Sequence, residues 1–163
     1  MTSQTADPAS TSALGGALRA QALALADLLE RLGEPATHRR NTSGYATGFE
    51  RDLVAAAAAQ LDRIGAVLQG LATSDVERAA RRRGLHEEAG RHELDIEGPR
   101  VYERPGPSRV DPSVRTRARP RVQELLNRVA ASQGRDLASF CRELEASTAA
   151  LRSISERARR GTD

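Results

Sequence analysis

Residues 114–144 read VRTRARPRVQELLNRVAASQGRDLASFCREL, and the fold of the C-terminal half turns on how this stretch is parsed. Val114-Arg115-Thr116-Arg117-Ala118-Arg119 alternates small or β-branched residues with arginines. A period of two predicts a short strand whose one face carries Arg115, Arg117 and Arg119. Pro120 suits the first turn of a helix, and Val122, Leu125, Leu126 and Val129 then fall on one face. Gly134 predicts a stop, and Asp136 a cap for a second helix with Leu137, Phe140, Cys141 and Leu144 as its apolar face. That pattern runs on through Leu151 and Ile154 to Ala158, and the end is rich in arginine: Arg157, Arg159 and Arg160.

Outward from this stretch, residues 84–112 are acidic and then rich in Pro and Gly without a lasting period, which predicts a flexible linker. Residues 13–83 predict an antiparallel helical hairpin with a short third helix. Leu14, Leu18, Leu25, Leu28 and Leu32, with Gln21 in one seam position, mark a first helix over about 14–32, ended by Gly33 and Pro35. Thr47 and Glu50 form a capping-box pair ahead of a second helix, whose Val54, Ala57, Leu61, Ile64, Leu68 and Leu71 keep a heptad seam. Two such stripes cover only part of each other. Val54, Leu61, Ile64, Leu68 and Leu71 are therefore the expected seam for a further partner. Ser74 and Glu77 suggest a capping box opening a short helix from Asp75 to Arg83, with Arg81-Arg82-Arg83 at its solvated end. Residues 1–12, rich in Ser, Thr, Ala and Pro, are expected to be a disordered tail.

Composition bounds the function. Only Tyr45, Phe49, Tyr102 and Phe140 are aromatic, so a large single-chain core is hard to build and a homodimer or higher oligomer is expected. All 25 basic residues are arginine. Residues 109–163 hold 12 of them against 7 acids, an excess that suits a polyanionic partner. The single Cys141 excludes an internal disulfide and fits a reducing cytoplasm; its place among apolar helical neighbours predicts a buried thiol. No secretory leader or membrane span is evident, so a soluble cytoplasmic protein is expected.

Catalytic chemistry finds no support. His86 and His92, with Glu87, Glu88 and Glu93, lack the spacing of metal ligands on one helix face. No nucleophile elbow or phosphate-cradling glycine loop is present. The expectation is a protein without catalytic residues, metal or cofactor.

The stretch Leu126-x-Arg128-Val129-Ala130-x-x-x-Gly134-Arg135-Asp136-Leu137, followed by Phe140-Cys141 and Leu144, resembles the ribbon-helix-helix family of DNA-binding proteins (the Arc and MetJ class). The resemblance covers residues 114–144 and implies a C-terminal module over 113–160, with one strand and two helices. In that family two chains pair their strands into a ribbon that enters the DNA major groove. It implies base contacts from Ser113, Arg115 and Arg117, and phosphate contacts from Arg119, Arg135, Asp136 and Leu137. It also implies a shared dimer core of Val122, Leu125, Leu126, Val129, Leu137, Phe140, Cys141 and Leu144. The function it implies is sequence-specific binding of double-stranded DNA: a transcriptional repressor, an antitoxin-like autoregulator, or a plasmid partition or mobilisation accessory. The alternative is a non-enzymatic structural or adaptor protein of secretion, phage or assembly type, acting through helical hairpins.

Overall fold

The computed structural model describes residues 7–33 and 48–160. Over them the chain is mainly helical, with one small two-stranded antiparallel sheet. In chain order the elements are α1 (Pro8–Gly33), α2 (Gly48–Arg91), β1 (Leu94–Glu97), β2 (Arg100–Glu103) and α3 (Pro112–Arg160). They contribute to two compact units. Unit 1 takes α1, α2 as far as Ala72, and α3 from Ser139; unit 2 takes Thr73–Ala138. Pro35, Thr47 of the expected capping box, and residues 1–6 of the expected tail lie outside the described residues.

Helices α1 and α3 begin with the same chemistry. Asp7 accepts the amides of Ala9 (3.3 Å) and Ser10 (3.1 Å), and Asp111 accepts that of Ser113 (2.7 Å). Each is followed by a proline, Pro8 or Pro112, in a first-turn position where a missing N–H forfeits no bond. Asp-Pro therefore starts both helices earlier than their apolar patterns predict. Pro8–Ser12, expected in the tail, are helical.

The same start decides the C-terminal stretch. Val114–Arg119, expected as a strand, belong to α3. The amides of Val114 and Arg115 bond back to the Asp111 carbonyl at 3.0 and 3.1 Å. The Thr116 hydroxyl and Arg117 Nε donate to the carbonyls of Pro112 and Ser113, four residues back, at 2.9 and 3.1 Å. Arginine and alanine are good helix formers, and the alternation of Arg with small residues does not oppose a helix. Helical winding puts Ala118 in line with Val122, both buried. Pro120 lies inside the helix and Gly134 does not end it. A glycine costs a helix about 1 kcal/mol, which packing on either side of it offsets. Asp136, expected as a cap, accepts the Ser132 hydroxyl at 3.4 Å within the same helix. The expected break at Thr73–Asp75 is also absent. The Ser74 carbonyl accepts Arg78 Nε at 3.2 Å, Asp75 pairs with Arg78, and Glu77 pairs with Arg81.

Unit 2 is closed by residues expected in the linker. Gly84–Arg91 continue α2, and β1 and β2 form a hairpin with Ile96 opposite Val101 and Glu97 opposite Arg100. The turn is Gly98-Pro99, with Gly98 at φ 57°, the left-handed conformation a two-residue hairpin asks of its first position. Leu94 and Val101 enter a core with Leu85 and Ala89 of α2 and Ala118 and Val122 of α3; Ile96, Leu125 and Leu126 pack at its margin. The outer edge of β2 is satisfied by α3. The Val101 amide donates to Gln123 Oε1 at 2.9 Å, and its carbonyl accepts Arg119 Nε at 3.2 Å. An exposed strand edge is thereby covered.

In unit 1 the close contact is made by small residues. A Cβ on Gly15 would stand 2.7 Å from the Gly65 carbonyl oxygen, and one on Gly65 2.6 Å from that of Gly15. At this pair the α1 and α2 backbones therefore meet directly, flanked by the Arg19 and Gln69 side chains. Arg19 of α1 reaches Asp62 (2.9 Å) and Gln69 (3.2 Å) on α2, and Phe140 of α3 lies against Gly70.

Acid should loosen this framework. Hydrogen bonds hold four carboxylates below their ordinary range: from Ser10 to Asp7, from Ser108 and then Arg109 to Glu93, from Arg104 to Asp95, and from Ser113 to Asp111. A folded-state pKa below the unfolded one contributes stability that is full above the unfolded value and lost as pH falls through the folded value. Thermal melting followed by circular dichroism should show a Tm that is level near neutrality and falls once the pH drops below about 4. A Tm unchanged down to the acid limit would contradict these contacts.

Candidate interaction surfaces

The residues expected to read DNA do not share one face. Arg115 is half-buried and its Nη1 stands 3.6 Å from Glu103 Oε2 of β2. Arg119 is bonded to the Val101 carbonyl. These two arginines serve hairpin docking inside unit 2. Ser113 is exposed and supplies acceptors to Arg117, whose Nη2 lies 3.4 Å from its hydroxyl. Arg135 and Leu137 are exposed and Asp136 is half-buried, all within α3 rather than at a helix start.

Of the expected core, Val122 is fully buried and Leu125, Leu126 and Val129 are partly so, in unit 2. In unit 1, Phe140 and Leu144 are half-buried, while Cys141, expected inside, is exposed. The reason is rotational: Phe140 is in phase with the buried line of α3 drawn by Ser147 and Ile154, and Cys141 lies more than about 100° round the helix from it.

Unit 1 carries an inverted pattern of burial. Among its described residues the buried positions are mostly small: Gly15, Ala22, Ala58, Gly65, Ala72 and Ser147, joined by Leu53, Val67 and Ile154. The α2 seam of Val54, Leu61, Ile64, Leu68 and Leu71 is only half-buried throughout. On α1 two heptad stripes run side by side. Gly15 and Ala22, with Leu29 half-buried, form the inward one; Leu14, Gln21 and Leu28 form the outward one. Leu14 is 55% exposed and Leu28 47%. Sequence periodicity predicts Leu14 and Leu28 in the seam, but close glycine packing turns the helix so that the small stripe faces α2. Phe49, at the start of α2, is also 47% exposed. Burying such side chains contributes about 1.5–3 kcal/mol each, so a substantial gain is left unmade.

Among the described residues no group of His, Cys, Asp and Glu is placed to hold a metal ion, and no helix is long and apolar enough to cross a membrane. In comparisons with known proteins, no family model, curated protein or solved structure matches the chain.

Proposed function

We propose that this chain is a non-catalytic helical interaction protein that completes the apolar face of unit 1 with a helix from another polypeptide, a second copy being the simplest source. The observation that carries this is the reversed burial in unit 1: small residues inside, and a leucine stripe on α1 turned outward. Large exposed apolar residues on one helix face mark a contact surface when they are contiguous. Leu14 and Leu28 stand seven residues either side of Gln21. An antiparallel two-fold pairing of α1 with its copy sets Leu14 against the copy's Leu28 and the two Gln21 amides against each other. A two-fold interface requires this self-complementarity.

A ribbon-helix-helix dimer is the less favoured alternative, because Val114–Arg119 would have to leave α3 and release Arg115 and Arg119 from the hairpin. Sedimentation equilibrium over the micromolar range separates the readings. The full chain should show a concentration-dependent dimer, and the Leu14→Glu/Leu28→Glu variant should remain monomeric with its helical circular dichroism unchanged. A variant that dimerises as the parent does would overturn association through α1.

A further inference from the structure

Unit 2 contains 14 arginines and 11 carboxylates, and half of the arginines are held by partners elsewhere in the unit. Arg78, Arg81, Arg91, Arg104 and Arg115 pair with carboxylates, Arg82 donates to Gln133, and Arg119 to the Val101 carbonyl. On α3 a different set stands apart: Arg117, Arg121, Arg128 and Arg135, separated by steps of four, seven and seven residues. Steps of four and seven return a helix to nearly the same face. All four are exposed. The row is about 27 Å long at 1.5 Å per residue.

Little neutralises the row. Arg121 and Arg135 have no partner among the described residues. Arg117 bonds only to the neutral carbonyl and hydroxyl of Ser113. Arg128 pairs with Glu124, but both side chains are more than half exposed, and such a surface pair is weak enough for another anion to replace. Arg117 and Arg121 line one shallow depression with Val114, Ala118 and His92. Among the described residues the guanidinium groups of Arg83, Arg100 and Arg109 also lack partners, yet Arg83 lies on α2, Arg100 on β2 and Arg109 in the loop before α3, outside this row.

We propose that this arginine row of α3 is a docking surface for the phosphate backbone of double-stranded DNA, binding without regard to base sequence. A row of exposed, weakly compensated guanidinium groups about 27 Å long is complementary in charge to a duplex that carries a phosphate about every 1.7 Å of its axis. A lipid surface is disfavoured because Ala118 and Val122 of α3 are buried in the unit 2 core, and Val114 is the one large apolar side chain exposed beside the row, too little to enter a bilayer. A single strand is disfavoured because the row contains no aromatic residue on which bases stack.

The test is fluorescence anisotropy of the full chain with labelled duplexes of about 20 base pairs, in two unrelated sequences, from 50 to 200 mM salt. Four phosphate contacts give a slope of log affinity against log salt of about −3.6, a loss of about 100-fold over that range, equal for both sequences. Arg121→Gln/Arg135→Gln should bring the slope near −1.8 and the loss to about 10-fold. Arg83→Gln/Arg100→Gln removes the same charge elsewhere in the unit and should leave the slope unchanged. Absence of binding at the lowest salt, or equal losses in both double variants, would overturn the assignment. So would tighter binding to a single strand, to duplex RNA or to phosphatidylserine vesicles. Each readout is independent of whether unit 1 associates.

Discussion

Leu94→Ala should cost about 2–5 kcal/mol of folding stability, the largest loss expected from any single truncation in unit 2. Leu94 is 1% exposed, the first residue of β1, and the largest fully buried side chain among the described residues. An isolated two-stranded hairpin is at best marginal in water, so β1 and β2 persist because their inner residues enter the helical core. Leu94 supplies the largest of those residues, in a cluster with Leu85, Ala89, Val101, Ala118 and Val122. It also follows Glu93, whose φ of 51° is left-handed and costs strain that the neighbouring contacts must offset. Truncation leaves a cavity where helix and hairpin meet and relaxes little, because α2 and α3 hold its walls. Urea denaturation followed by circular dichroism measures the loss; a change below about 1 kcal/mol would show that the hairpin does not depend on this side chain.

The second large effect is a reversal of sign at a glycine. Helix interiors normally gain about 1 kcal/mol when Gly becomes Ala. Gly134→Ala should follow that rule, since a Cβ there meets nothing within 4 Å. Gly65→Ala should do the opposite. Its Cβ would lie 2.5 Å from Arg19 Cγ, which can swing away, and 2.6 Å from the Gly15 carbonyl oxygen, which moves only with α1. Overpacking of this kind costs about 1–3 kcal/mol, and Gly65→Leu should exceed the alanine variant. Thermal unfolding of the three variants tests the contact. A Gly65→Ala protein as stable as Gly134→Ala would mean that α1 does not approach α2 so closely.

How far the fold was legible depends on which signal governed each element. The inward line of α3 in unit 2, Val122 with Leu125, Leu126 and Val129, follows from apolar spacing alone. The α1 seam was displaced by one residue, because Leu14 and Leu28 share their heptad phase with a hydrophobic stripe while Gly15 and Ala22 share theirs with close packing. Spacing cannot choose between a stripe of large residues and a neighbouring stripe of small ones. The hairpin was hidden for another reason. LDIEGPRVYE alternates apolar and polar residues around Gly98-Pro99, but each arm has only four residues and lies among acids, prolines and glycines.

Residues 114–119 were the costly ambiguity. Alternating arginines and small residues satisfy a strand period, yet they also suit a helix whenever a cap precedes them. Asp111-Pro112 is that cap, and it lies just outside the alternating run. For the same reason the candidate DNA-contact residues separated: Arg115 and Arg119 turn toward the hairpin, while Arg117 joins Arg121 on the exposed side. The open leucine stripe of unit 1 was not legible, since exposure depends on which side of α1 the paired glycines select.

The helical state of Val114–Arg119 underlies the arginine row and the ranking of the α1 pairing above a ribbon, and it is open to direct measurement. Backbone carbon chemical shifts of the full chain in solution, assigned for Val114–Arg119, report local conformation residue by residue. Helical shifts across all six, with contacts between residues three apart, are the expected result. Extended shifts, with contacts to the same residues of a second chain, would contradict the helix and restore an intermolecular ribbon.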